Sequence, residues 1–186
     1  MIPSMTWPLD GILRPVVRTI GGASGIGLGQ DTSLFRMVGE VRRYVSELKS
    51  ADDSRLTDLA RQLRRHDTPV AQDDTLLVRA IGLASESLRR TLSVELYDTQ
   101  LLAGLVISRG NIAEMETGEG KTFAGFLATF VASLASRGVH VCTPNRYLAA
   151  RDHRRLSPAL IRLGCTAALR DQDDRVTQIQ QAHQAD

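Results

Sequence analysis

A glycine-rich run at residues 115–122 reads M-E-T-G-E-G-K-T and constrains the fold of this 186-residue chain more than any other stretch. In loops of this kind the backbone N–H groups surround phosphate oxygens, and the helix that follows adds the positive end of its dipole. Lys121 is expected to contact the β- and γ-phosphates of a nucleotide, and the Thr122 hydroxyl is expected to coordinate Mg²⁺. Gly118 and Gly120 have no side chains to keep the backbone away from the phosphates. The run therefore predicts a nucleotide-binding loop.

The run departs from the common phosphate-loop pattern G-x-x-x-x-G-K-[ST], because Met115 stands where the first glycine is expected. An ordinary turn between a strand and a helix is the alternative interpretation. The sequence on either side favours phosphate binding. Residues 112–115 have the pattern of a short strand, and apolar residues recur at helical spacing from Phe123 to Leu134. Strand, loop and helix thus follow one another in the order that a phosphate loop needs.

The sequence after this helix predicts two further strand–helix units. Residues 138–143 and 165–169 have the apolar pattern of buried strands. A helix is predicted to begin after Pro144 and to end at Leu163, and a polar helix is predicted from Asp173 onward. The order β-α-β-α-β-α predicts a parallel sheet with right-handed crossovers.

Before the loop, the pattern predicts three amphipathic helices with no visible catalytic residue. Sequences rich in aspartate and serine or threonine can cap these helices at residues 31–33, 51–54 and 73–75. The chain is therefore expected to divide into a flexible N-terminal segment, a helical preface and the N-terminal part of a truncated phosphate-loop motor domain, at residues 1–30, 31–95 and 96–186.

A second glycine-rich run, at residues 21–27, has the composition of the dinucleotide-binding turn of short-chain dehydrogenases. Such a turn leaves a buried strand and opens a helix. Here only a weak strand precedes the run. No Tyr-x-x-x-Lys pair follows, since Tyr44 and Lys49 are five residues apart. A flexible linker is therefore favoured over a dinucleotide site.

Composition argues against several other kinds of protein. The formal net charge of +2 is too small to argue for a nucleic-acid partner. No apolar run approaches the roughly 18 residues of a membrane span, and the first 20 residues lack the pattern of a signal peptide. Cys142 and Cys165 lack metal-ligand spacing and are predicted to lie buried in strands. His140 has no partner cluster and is predicted to be structural.

The stretch at residues 97–101, Y-D-T-Q-L, gains meaning from its place before the phosphate loop. A glutamine amide can accept from the exocyclic amine of adenine and donate to ring N7, so Gln100 is a candidate for reading the base. The ring of Tyr97 is a candidate for stacking on it. The alternative for both residues is an ordinary place at the start of an amphipathic helix.

Three blocks taken together resemble SecA, the ATPase motor of bacterial protein export. They are residues 97–101, 112–122 and 138–149, and their spacing also fits. The family has methionine where the first glycine of a phosphate loop would stand, which accounts for Met115. The resemblance covers about residues 34–186, whereas residues 1–30 have no counterpart.

The resemblance implies roles for individual positions. Gln100 matches the glutamine of the family that contacts adenine, Tyr97 matches the aromatic residue beside it, and Arg151 matches an arginine near the nucleotide. The phosphate-loop positions are Thr117, Gly118, Glu119, Gly120, Lys121 and Thr122, with Thr122 also the metal ligand. Two departures alter the edge of the site. The family usually has Met-Arg-His-Phe at residues 94–97, and it usually has aspartate where Arg146 stands.

The resemblance also implies a fold and a function. The fold is α/β, with a helical N-terminal preface followed by an incomplete P-loop NTPase (RecA-like) parallel sheet with flanking helices. The cofactors are ATP and Mg²⁺. The parent protein would be an ATPase that couples hydrolysis to the export of unfolded preproteins through the SecYEG channel. It would be cytoplasmic and peripherally associated with the inner membrane. An anionic membrane surface and a second copy in a homodimer are candidate partners, and no nucleic acid is expected.

The chain lacks the downstream Asp-Glu pair with which the family holds Mg²⁺ and activates water. No catalytic residue is therefore assigned, and the chain is expected to be an inactive N-terminal piece of a longer motor. Two alternatives remain. One is half of a superfamily 2 nucleic-acid helicase, which the small net charge and the acidic loop disfavour. The other is a non-catalytic interaction module that keeps the nucleotide-binding fold.

Overall fold

The computed structural model describes residues 32–135 and 138–170. These residues form six α-helices and one short 3₁₀ helix, Val70–Gln72. The α-helices are α1 (Thr32–Leu48), α2 (Asp53–Arg64), α3 (Asp74–Leu92), α4 (Asp98–Ser108), α5 (Lys121–Ala135) and α6 (Arg146–Arg162). The predictions for the N-terminal segment, for the glycine-rich run at residues 21–27 and for the polar helix after Asp173 lie outside the described residues.

Side-chain caps begin three of these helices. The carboxylates of Asp52 and Asp73 accept hydrogen bonds from backbone N–H groups in the first turns of α2 and α3, at 2.7 and 2.9 Å. The amide oxygen of Asn145 does the same for α6, at 2.9 Å from the nitrogen of Leu148. Each bond satisfies a backbone donor that has no partner within its helix. The helices predicted before and after the phosphate loop are confirmed.

Helix α3 lies at the centre of the molecule and contacts α1, α2, α5 and α6. All of its residues from Leu76 to Leu88 are buried except Arg79. A helix that is buried on nearly every side is a core helix rather than a surface helix. The neighbouring pair α4 and α5 pack closely, since a Cβ atom added at Gly104 would lie 2.7 Å from Leu127. This close packing fixes the two ends of the loop that joins α4 to α5.

A buried glutamate joins α3 to three other elements through two arginines. The side chain of Glu86 is fully buried and accepts hydrogen bonds from Arg89 and Arg90 at 2.7–2.8 Å. Arg90 also donates to the carboxylate of Asp53 at 2.8 Å and to two carbonyls at the α1–α2 junction. Arg162 of α6 pairs with the same aspartate. This network of side chains therefore ties the helical preface to α6.

The predicted parallel sheet is wrong for the residues that the structure describes. No strand is present in 32–135 or 138–170, and Ala113 forms only an isolated β-bridge. Ile112 is 58% exposed and Val141 is 64% exposed, although strands of a parallel sheet are covered on both faces. An apolar pattern alone does not make a strand, because a strand also needs neighbours to pair with. The described residues supply no such pairing.

The same correction applies to one of the two cysteines. Cys165 is buried, as predicted, and lies beside Ser133 of α5. Cys142 is exposed, so its predicted burial within a strand is wrong. Across the described helices, none has both the length and the hydrophobicity needed to cross a membrane.

Candidate nucleotide-binding site

The glycine-rich run forms a tight turn that leads directly into α5. The N–H of Glu119 donates to the carbonyl of Glu116 at 3.3 Å, which closes a β-turn over residues 116–119. Gly118, at the third position of this turn, has a φ of +92°, and Gly120 has a φ of +83°. Positive φ at the third position is characteristic of a type II turn and favours glycine. Both glycines are therefore required by the local backbone.

Five backbone N–H groups of this turn and of the first turn of α5 remain without an acceptor among the described residues. They belong to Thr117, Gly118, Gly120, Lys121 and Thr122. The carbonyl of Gly120 accepts from the N–H of Phe123 at 2.9 Å, which starts α5. Unpaired N–H groups at the start of a helix, together with its dipole, make an anion-binding site.

The side chain of Lys121 closes the loop on itself. Its Nζ donates to the carbonyls of Met115 and Glu116, at 2.9 and 2.7 Å. Met115 is buried and packs against Ala103 of α4 and Ala124 of α5, so the start of the loop is held by both helices. To contact a phosphate, Lys121 must exchange these two carbonyls for phosphate oxygens.

Gln100 joins the start of α4 to the loop. Its side chain is only 5% exposed, its Nε2 donates to the carbonyl of Glu119 at 2.9 Å, and its Oε1 accepts from the N–H of Tyr97 at 3.0 Å. A Cβ atom added at Gly120 would lie 2.3 Å from this Nε2. A primary amide has two donor hydrogens and two acceptor lone pairs. One of each is therefore left, and a bidentate contact with adenine needs one of each.

The other predicted site residues, with one exception on α6, lie either in the loop itself or next to Gln100. Tyr97 is 73% exposed immediately before α4 and is linked to the loop through Gln100. Thr117 and Gly118 are exposed in the turn, and the Thr122 hydroxyl makes no hydrogen bond to any described residue. No group of three or more His, Cys, Asp or Glu side chains suited to a metal occurs in the described part of the chain.

Arg151 lies on α6 and does not contact the loop. Its guanidinium binds the carboxylate of the next residue, Asp152, with nitrogen–oxygen distances of 2.8 and 2.7 Å. The arginine of α6 that does contact the beginning of α5 is Arg155, whose guanidinium carbon lies 5.0 Å from the centre of the Phe123 ring. Sequence reasoning missed this pair. Its signal was the four-residue spacing from Arg151, which puts both arginines on one helix face.

A carboxylate of the loop also binds within the loop. The Oε2 atom of Glu119 accepts a hydrogen bond from the N–H of Glu116 at 3.2 Å. The N–H of Glu116 is thus occupied, unlike the N–H groups of Gly118 and Gly120. The unpaired donors accordingly begin at the next residue, Thr117.

Comparison with known proteins shows the family of this chain. Residues 30–186 match the family described as the SecA DEAD-like domain. The chain is 36% identical over 149 residues to the protein translocase subunit SecA of Psychrobacter sp. (strain PRwf-1), an alignment that covers 78% of this chain and 16% of the relative. It is 40% identical over 125 residues to SecA 2 of Bacillus anthracis, with 63% and 16% covered.

A third relative aligns with a larger share of this chain. The chain is 34% identical over 154 residues to SecA of Wolbachia sp. subsp. Brugia malayi (strain TRS), which covers 83% of this chain and 18% of the relative. The chain thus spans about a sixth of the length of these relatives. The family match includes the phosphate loop, Gln100 and all six described α-helices. This chain belongs to the SecA DEAD-like domain family.

Proposed function

We propose that this chain binds ATP through the loop at residues 115–122, as the N-terminal part of the first nucleotide-binding motor domain of a SecA-type protein translocase. The observation that carries the proposal is the backbone of the loop. Two glycines with positive φ lie within the three residues before Lys121, the first residue of α5, and five nearby N–H groups have no acceptor among the described residues. Such a surface is complementary to the oxygens of a nucleotide's phosphates.

Binding would reorganise the contacts of Lys121. In the structure its ammonium is held by two neutral carbonyls, those of Met115 and Glu116. Hydrogen bonds between an ammonium and a charged phosphate are stronger than those to a neutral carbonyl. Lys121 therefore moves from the start of the loop to the phosphates, and the N–H groups of Gly118 and Gly120 hold the same oxygens from the other side.

Thr122 fits the role of a magnesium ligand. Its hydroxyl, in the first turn of α5, has no partner among the described residues, so no bond has to be broken before it binds a cation. Mg²⁺ bound there would neutralise charge on the β- and γ-phosphates. Gln100 has one donor and one acceptor left for adenine, and Tyr97 has an exposed ring beside it. Arg151 would have to leave Asp152 to reach the nucleotide.

For the parent protein we propose the activity that the resemblance to SecA implies; the relatives themselves are named as protein translocase subunits. It would be an ATPase that couples ATP hydrolysis to the export of unfolded preproteins through the SecYEG channel. It would act from the cytoplasm at the inner membrane, with anionic lipid and a second copy as candidate partners. We assign nucleotide binding, and no step of hydrolysis, to the residues of this chain.

The test is a titration with a fluorescent ATP analogue in the presence of Mg²⁺. Lys121→Ala should weaken binding about tenfold or more, because a charge-assisted contact to the phosphates is lost. Lys49 is the only other lysine of the chain; it lies exposed directly after α1 and is paired with Glu95 at 3.7 Å. Lys49→Ala removes the same charge and should leave the affinity unchanged. Equal affinities for all three proteins, or no binding by any, would contradict the proposal.

A further inference from the structure

The phosphate loop carries more negative than positive charge. Between residues 114 and 122 there are three carboxylates, those of Glu114, Glu116 and Glu119, and a single cation, Lys121. Like charges at short range repel one another, and the phosphates of ATP bring several further negative charges to the loop. The N–H groups of the loop and one lysine face this excess alone. A further cation from outside the loop would offset part of this excess of negative charge.

Arg155 of α6 is positioned next to this site. Its guanidinium carbon lies 5.0 Å from the centre of the Phe123 ring, two residues after Lys121. The Phe123 ring in turn borders the loop, because its Cδ2 atom lies 3.4 Å from the place that a Cβ atom would take at Gly120. The ring is therefore the only side chain that the contacts place between Arg155 and the phosphate loop, within the residues described.

The guanidinium of Arg155 is also weakly held. Within residues 32–135 and 138–170 it forms no ion pair and no hydrogen bond, and it lies over the face of Phe123. By comparison, Arg151 binds the carboxylate of Asp152 through two nitrogens, and Arg162 pairs with Asp53. A cation over a partly buried aromatic ring makes no charge-assisted hydrogen bond there and is held less strongly than one bonded to a carboxylate. Arg155 can accordingly exchange its contact at little cost.

We propose that Arg155 is a second phosphate-binding cation of this site, which rests on the face of Phe123 until a nucleoside triphosphate binds and then contacts its phosphates. The proposal depends on the proposed ATP binding. A guanidinium can bind two phosphate oxygens at once, so it is suited to the role. Arg155 would offset the acidic side chains of the loop, which Lys121 alone does not.

The test compares Arg155→Gln with Arg154→Gln in titrations with fluorescent analogues of ATP and AMP. Arg154 is the adjacent residue, is exposed, and has no ion pair among the described residues, so its replacement removes an equal charge from the same surface. Arg155→Gln should weaken ATP binding about tenfold, as expected for a lost charge-assisted contact. Its affinity for AMP should change little, and Arg154→Gln should bind both ligands as the wild type does. Arg155→Lys keeps a cation and should retain part of the affinity.

Each contrary result has a distinct meaning. Equal losses in the two glutamine variants would show a long-range effect of charge, and equal losses for ATP and AMP in Arg155→Gln would show a packing role. Either result overturns this inference and leaves ATP binding by Lys121 standing. An unchanged ATP affinity of Arg155→Gln also overturns this inference and leaves ATP binding by Lys121 standing. If the wild type and Lys121→Ala both fail to bind ATP, the proposed function is overturned as well. Matching thermal midpoints of the variants establish that all of them are folded.

Discussion

At the scale of single residues, Gln100 connects the two halves of the candidate site. Its Nε2 holds the carbonyl of Glu119 in the phosphate loop, and its Oε1 holds the N–H of Tyr97 at the start of α4. Besides its proposed contact with adenine, Gln100 fixes the position of the loop relative to the start of α4. In the proposed complex this would set the distance between the bound base and the phosphates.

Replacing Gln100 by glutamate tests this connection. The substituted side chain would have nearly the same shape, but a carboxylate oxygen would face the carbonyl of Glu119 in place of the donor. We expect Gln100→Glu to weaken binding of ATP and of bare tripolyphosphate, because the loop loses its link to α4.

Gln100 also complements adenine better than guanine, so the wild type should prefer ATP to GTP by about tenfold. Competition titrations measure the affinity of Gln100→Glu for ATP and tripolyphosphate, and the preference of the wild type for ATP over GTP. Equal affinity for ATP and GTP would remove Gln100 from base recognition, and unchanged tripolyphosphate binding would remove it from the loop.

The two glycines of the loop give a matched pair of variants. Alanine at either position is strained, because φ is +92° at Gly118 and +83° at Gly120, and such strain costs about 1–2 kcal/mol. At Gly118 a Cβ atom meets nothing within 4 Å, whereas at Gly120 it would lie 2.3 Å from the Nε2 of Gln100. Gly120→Ala should therefore lower both thermal stability and ATP affinity more than Gly118→Ala. Thermal melts and ATP titrations of the two variants decide this, and equal effects would contradict the close contact between the loop and Gln100.

At the scale of the helices, the buried carboxylate of Glu86 joins α3 to α2 and α6 through Arg90, Asp53 and Arg162. Burial alone would raise the pKa of Glu86, but the hydrogen bonds from Arg89 and Arg90 outweigh it and hold the pKa below its ordinary value of 4.5. Because the pKa is lowered in the folded state, the stabilisation is fully present above about pH 4.5 and is lost as the pH falls through the lowered pKa.

Glu86→Gln should lower the free energy of unfolding near pH 7 by about 3–5 kcal/mol, because Arg89 and Arg90 lose a buried partner. The difference from the wild type should shrink below pH 4.5, where the wild-type carboxylate becomes protonated. Urea unfolding at several pH values measures this. A difference that stays constant with pH would show that the carboxylate's charge is not what stabilises the network.

The helices were predictable from the sequence, whereas the elements that pack or pair with one another were not. Apolar spacing together with Asp52, Asp73 and Asn145 located the starts of α2, α3 and α6, because caps and amphipathic stripes are local features. The sheet could not be established in this way, since strand pairing depends on residues distant in sequence. The contact of Arg155 with Phe123 was missed for the same reason, as it depends on how α6 packs against α5.

In the candidate site too, local features were predictable and contacts between residues distant in sequence were not. The residues of the phosphate loop were identifiable because their chemistry lies within eight consecutive positions, 115–122. The pairing of Gln100 with Glu119 spans nineteen positions and was visible only in the structure. The role given to Arg151 came from family resemblance, and the structure places its guanidinium on Asp152 instead. Whether it moves to the nucleotide remains a prediction.

At the scale of the whole molecule, the chain spans about a sixth of the length of its SecA relatives. Fast phosphoryl transfer needs several groups that position water and stabilise charge, and losing such groups costs orders of magnitude. We therefore expect no ATP hydrolysis above background from the 186-residue chain, even with the nucleotide binding proposed for it. A phosphate-release assay tests this. Turnover of about one per second or faster that Lys121→Ala abolishes would contradict the expectation.

The most direct test of the central claim is an amide spectrum of ¹⁵N-labelled protein, recorded with and without ATP and Mg²⁺. The N–H groups of Gly118, Gly120, Lys121 and Thr122 have no acceptor among the described residues, so phosphate oxygens should shift their signals strongly. The signal of Lys49, an exposed residue directly after α1, serves as the internal control and should not move. Tripolyphosphate should reproduce the shifts of the four loop amides. Unshifted loop amides at saturating ATP, or shifts confined to other elements, would contradict nucleotide binding at this loop.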